Sequence, residues 1–144
     1  MKKKELPDCI VLPDCIVCER IPPKFVFEIG HKLFDNILSR KEVHNCCVSA
    51  IKVINHIDKT KRIYFCGKGK KVIVAGLFYI FSLYKQVKLS QSRIANVLGI
   101  STMSVRKHYR NLLVSFPEIF EPERFLSKSQ LYSLKLWEKE SKKK

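Results

Sequence analysis

Met103, Arg106, Lys107 and Arg110 recur at i, i+3, i+4 and i+7 within SQSRIANVLGISTMSVRKHYRNLL, residues 90–113. On a helix that spacing puts three cations and a thioether on one face. The chemistry suits the major groove of duplex DNA. Arginine and lysine reach guanine O6 and N7, and an apolar tip packs on a thymine methyl. The bland alternative is a solvated charged face. Val105, Tyr109 and Leu112 fall on the other side of the same helix, where they would pack inward.

A reading face needs elements that hold it. Ser90 is placed to cap a first helix whose apolar positions are Ile94, Ala95 and Leu98. Gly99 then stops it, because glycine takes the left-handed conformation at little cost. Ser101 is placed to cap the second helix. The small Ala95 permits close helix packing and Val105 anchors the second helix. This is the division of labour of a helix-turn-helix.

The cations around it fit phosphate contacts, which position a protein without specifying sequence. Lys68, Lys70 and Lys71 lie in a basic connector over Asp58–Lys71, Lys85 and Lys88 lead into the helix-turn-helix, and Arg93 lies within it. Gly67-Lys68-Gly69-Lys70-Lys71 lacks the G-x-x-x-x-G-K-[ST] spacing of a nucleotide loop. A solvated loop is the other reading of that connector.

Charge points the same way. The 144 residues carry 28 Lys plus Arg against 13 Asp plus Glu, a net +15. Without the lysines at 2–4 and 142–144 the balance is still +9. Such self-repulsion implies an anionic partner, nucleic acid first and an anionic membrane surface second. No paired-carboxylate, Ser/His/Asp or complete metal constellation is visible, so an enzyme is not expected.

No secretory signal is expected, since Pro7 and Asp8 follow the first lysines, and Val72–Tyr84 is too short for a membrane span. An intracellular protein with reduced thiols is expected, located with the DNA: nucleus in a eukaryote, cytoplasm in an archaeal or viral setting.

Residues 1–22 form a Cys- and Pro-containing segment in which LPDCIV is repeated in tandem, at 6–11 and 12–17. Cys15-x-x-Cys18 suits half of a zinc site, with Cys9 as a third ligand and His31 or Cys66 as a fourth. No second C-x-x-C completes it, so zinc is a weak candidate and no other cofactor is expected.

Residues 23–126 read as an all-α domain. Val26, Ile29, Leu33 and Ile37 mark one helix entered through Pro22-Pro23. Val43, Cys46, Cys47, Ala50, Ile51, Ile54 and Ile57 mark a second, with its cysteines as buried thiols and His44 and His56 at the surface or boundary. KVIVAGLFYIFSLY, residues 71–84, is apolar on nearly every side and belongs at the centre of a bundle, with Ala75 and Gly76 as close-packing positions. Prolines 117 and 122 break the chain after the helix-turn-helix. Leu131, Leu134 and Trp137 mark a last amphipathic helix within 127–144.

Two amphipathic helices, an apolar helix and a helix-turn-helix, in that order, resemble the second cyclin-like repeat of transcription factor IIB and its archaeal counterparts. The residues that carry the resemblance are VIVAGLFYIFSLYKQVKLSQSRIANVLGISTMSVRKHYRNLL and the following SFPEIFEPERF, about 55 residues. The family's TQ-x-x-I-A-x-x-x-G-V helix appears here from Ser90-Gln91 to Ile100, and its V-T-I-R-x-x-Y helix as Met103-Ser104-Val105-Arg106 with Tyr109. The resemblance implies a five-helix cyclin-like fold plus a C-terminal helix. It implies binding to double-stranded promoter DNA, with Met103 and Arg106 as base readers, and contact with TATA-binding protein and RNA polymerase. Met103 departs from the small apolar residue usual there. The chain has room for one repeat and at most half a zinc ribbon, which implies a truncated, single-repeat member. Two other readings stay open: a cyclin-box module that docks protein without touching DNA, and a homodimeric helix-turn-helix repressor.

Overall fold

Proline opens the first helix. Pro22 is the N-cap and Pro23 the first residue of α1 (Pro23–Phe34), where a missing N–H costs nothing and φ is already helical. The computed structural model describes residues 21–65 and 68–143. Val26, Ile29, Gly30, Leu33 and Phe34 make the buried face of α1. Ser39 then starts α2 (Arg40–Thr60) with a reciprocal capping box: its hydroxyl accepts from Glu42 N at 3.2 Å, and Glu42 Oε1 accepts from Ser39 N at 3.1 Å. Such a cap stabilises a helix by about 1 kcal/mol.

α2 buries Val43, Cys46, Cys47, Ala50, Ile54 and Ile57. It runs further than the apolar pattern, because Asp58, Lys59 and Thr60 continue the turn and the Thr60 hydroxyl donates to His56 O at 2.8 Å. The connector expected over Asp58–Lys71 therefore shrinks to a 3₁₀ turn, Arg62–Phe65, and a few flanking residues. Burial pushes the Cys47 thiol up to about 11 and raises that of Cys46, so both stay protonated at neutral pH.

α3 (Lys70–Lys85) is the axis of the molecule. Ile73, Val74, Ala75, Gly76, Leu77, Phe78, Ile80 and Ser82 are buried around its circumference. Ser82, the polar member of that set, donates its hydroxyl to Tyr79 O at 2.6 Å. Two glycines mark where helices touch α3. A methyl at Gly30 of α1 would overlap Cys47 Sγ and press on Phe78, and a methyl at Gly76 would lie 3.1 Å from Tyr109 N.

α4 (Gln91–Leu98) and α5 (Thr102–Ser115) follow, then α6 (Pro117–Phe120), a 3₁₀ turn at Pro122–Arg124, and α7 (Lys128–Lys143). The prolines at 117 and 122 each begin a short helical turn, and Phe116, Phe120 and Pro122 are buried beneath them. The protein is all-α: seven helices and no strand among the described residues. No helix of the described residues is long and apolar enough to cross a membrane. The tandem repeat, Cys9, Cys15, Cys18 and Cys66 lie outside the described residues.

Candidate nucleic-acid interface

The helix pair is built by its caps. Ser90 Oγ accepts from Arg93 N at 3.1 Å to start α4, which buries Ile94, Ala95 and Leu98. Gly99 sits at φ 70°, in the left-handed region, and turns the chain. A methyl there would meet nothing within 4 Å, so the glycine is required by conformation and not by space. Ser101 Oγ then accepts from Ser104 N at 3.0 Å to start α5.

Val105, Leu112 and Leu113 bury one side of α5. Tyr109 packs edge-on to Tyr79 of α3, with ring centroids 4.7 Å apart. Burial raises the Tyr109 phenol pKa against the opposing pull of Arg110. His108 is held half-buried, its Nδ1 2.8 Å from the Ser104 carbonyl, and desolvation lowers its pKa.

The first two turns of α5 present Met103, 70% exposed, with Arg106 and Lys107 also exposed. Arg106 is steadied by its neighbour in the pair: its Nε donates to Gln91 Oε1 at 3.3 Å. A guanidinium anchored through Nε keeps its terminal nitrogens free for a bidentate acceptor. Arg110 is turned aside. It is half-buried, and its guanidinium lies over the Trp137 ring of α7 at 5.6 Å. Trp137 Nε1 donates to Asn111 Oδ1 at 3.1 Å, so α7 rests on the last turns of α5.

The candidate phosphate residues divide. Lys71, Lys85, Lys88 and Arg93 are exposed, and a bond to a carbonyl and a cleft set Arg93 and Lys85 apart from Lys71 and Lys88. The Lys68 ammonium donates to Tyr64 O at 2.6 Å and sits 4.2 Å from that ring, and Lys70 lies 4.7 Å from the Phe25 ring. Arg93 donates to the Lys32 carbonyl at 3.1 Å, tying α4 to the end of α1. Lys85 lines a cleft of about 240 Å³ with Asn45, Cys46, Ser49, Phe81 and Tyr84, on the α2 side of α3. Nine residues from Gly76, it lies on the opposite side of that helix from α5. The roles of Gln91 and Trp137 were not foreseen from sequence: Gln91 enters there only through the Ser90-Gln91 match, and Trp137 as one more apolar residue of an amphipathic helix.

Among the described residues no three His, Cys, Asp or Glu side chains gather as metal ligands. His31 is exposed near the end of α1. The chain matches no family model, no curated protein and no solved structure.

Proposed function

We propose that the protein binds duplex DNA, reading bases with the first two turns of α5. The observation that carries this is the exposed Met103–Arg106–Lys107 face on the second helix of a capped helix–turn–helix. In that motif it is the N-terminal part of the second helix that reaches base edges. Lys71, Lys88 and the overall charge of +15 supply phosphate attraction. The order of α1 to α5 agrees with the resemblance to the cyclin-like repeat of transcription factor IIB. By that resemblance the target is promoter DNA, the protein partner is TATA-binding protein, with RNA polymerase beyond it, and the role is transcription initiation or its regulation rather than catalysis.

One face of three base-reaching side chains gives modest affinity, much of it electrostatic. The expected behaviour is weak, salt-sensitive binding by the protein alone, and sequence preference once a second surface is added. Linking two weak sites multiplies affinity by roughly 10²–10⁴. Gel shifts with the protein alone, with TATA-binding protein added, and over a concentration series test this. No shift on any duplex under low salt would count for a protein-docking module, and a concentration-dependent second shift on a two-fold site for a homodimer.

A further inference from the structure

The outward stripe of α5 does not end at Lys107. Stepping by three and four residues it continues from Met103, Arg106 and Lys107 to Arg110 and Asn111. Arginine and asparagine are the side chains best matched to guanine and adenine in the major groove. Both are engaged by one residue of α7. Trp137 Nε1 occupies Asn111 Oδ1, the atom that would accept from an adenine N6 amino group, and the Trp137 ring lies against the Arg110 guanidinium. Ser129, Gln130, Ser133 and Leu134 of α7 stand beside Arg110, where a groove wall would have to come.

We propose that Trp137 and DNA compete for Arg110 and Asn111, so that α7 is a latch on the last turn of the reading face. The proposal rests on the DNA-binding reading of α5. The latch is lightly held. No residue from Lys128 to Glu140 is fully buried, and Tyr132 and Leu136 are exposed at 65% and 45%. Elements with so little buried apolar contact open at the low end of the local-stability range. Lys128, Lys135 and Lys139 fall on one stripe of α7, all exposed. Lys128 is nine residues from Trp137 and the other two are two residues from it, so the stripe lies on the face of α7 turned away from α5, where it adds to the overall attraction for a polyanion.

Trp137 is the single tryptophan of the chain, so its emission reports the latch directly. Titration with a 20-base-pair duplex is expected to shift that emission to longer wavelength, with the same midpoint as a gel shift. A latch closed in about nine molecules of ten weakens binding tenfold, so Trp137→Ala is expected to tighten duplex binding about tenfold. The slope of log K against log salt is expected to be the same in wild type and Trp137→Ala, because Arg110 meets the DNA in both complexes. Adding Arg110→Ala should remove much of the gain in affinity and flatten the slope by about one unit. Trp137→Phe, which keeps a ring and loses the donor, should move affinity in the same direction by less and covers the case in which the alanine variant does not fold. Unchanged emission at saturating DNA, or native-like melting with no tighter binding in Trp137→Ala or Trp137→Phe, overturns the latch alone. If neither wild type nor variant binds duplex, the DNA reading fails and the latch with it.

Discussion

Gly76 and Tyr109 meet backbone to backbone where α3 crosses α5: a methyl on Gly76 would sit 3.1 Å from Tyr109 N and 3.2 Å from His108 C. That crossing sets the height of the proposed reading helix over the core. Glycine in a helix interior costs about 1 kcal/mol against alanine, and closeness to the α5 backbone is the reason it is here. Gly76→Val should therefore overpack the crossing and lower stability by about 1–3 kcal/mol. Urea denaturation checks it, and an unchanged midpoint would mean that α5 slides freely over α3.

Gly99 predicts the opposite pattern. Its surroundings are empty and only its φ of 70° is unusual. Gly99→Ala should cost about 1–2 kcal/mol, the penalty of the left-handed region for an ordinary side chain. Gly99→Asn should cost less, since asparagine visits that region. Equal losses for the two variants in thermal melts would show that space, not conformation, selects the glycine.

His108 gives the protein a pH dependence of known sign. Burial depresses its folded pKa below the ordinary 6.5, with Lys107 and Lys68 lowering it further against the opposing Ser104 bond. Below about pH 6.5 the unfolded chain takes up a proton that the folded one still refuses. Stability from this site is full above that pH and is lost as pH falls from 6.5 toward the depressed folded value. Urea melts at pH 7.5 and 5.5 should show the loss, and His108→Phe should flatten it. Phe in that half-buried place keeps the apolar contact while removing the proton.

Much of this architecture is legible in the sequence because it is local. Ser90, Gly99 and Ser101 announce their caps and turn through residue type alone, and Val72–Tyr84 announces a central helix by being apolar at all but Ser82. The Met103, Arg106, Lys107 spacing likewise puts those three on one face. Arg110 shares the spacing yet is turned aside, because what decides it is Trp137, 27 positions on, and no period of α5 encodes that meeting. Arg93 and Lys85, both exposed, have surroundings that the sequence does not announce for the same reason. One finds a carbonyl on α1 and the other a cleft against α2, both set by how helices cross rather than by neighbours in the chain. The extension of α2 through Thr60 was hidden by polarity: Asp58, Lys59 and Thr60 look like a loop and are the exposed end of a helix.

The divided lysines and arginines lead to a prediction that separates reading from attraction. Arg106→Ala should weaken binding to a preferred duplex by about 1–3 kcal/mol and relax discrimination at one base position. Gln91→Ala, which removes the tether on Arg106 Nε, should reproduce part of that loss without altering net charge. Lys88→Ala and Lys71→Ala should instead weaken all sequences alike and flatten the salt dependence by about one unit each. Lys85→Ala should leave the slope unchanged, because Lys85 faces α2 across α3 from the reading helix. Fluorescence anisotropy on matched and mutated duplexes from 50 to roughly 200 mM salt measures all five. If Lys85→Ala flattened the slope as much as Lys88→Ala, the DNA would have to approach the α2 side of the bundle, and the assignment of α5 as the reading helix would be wrong.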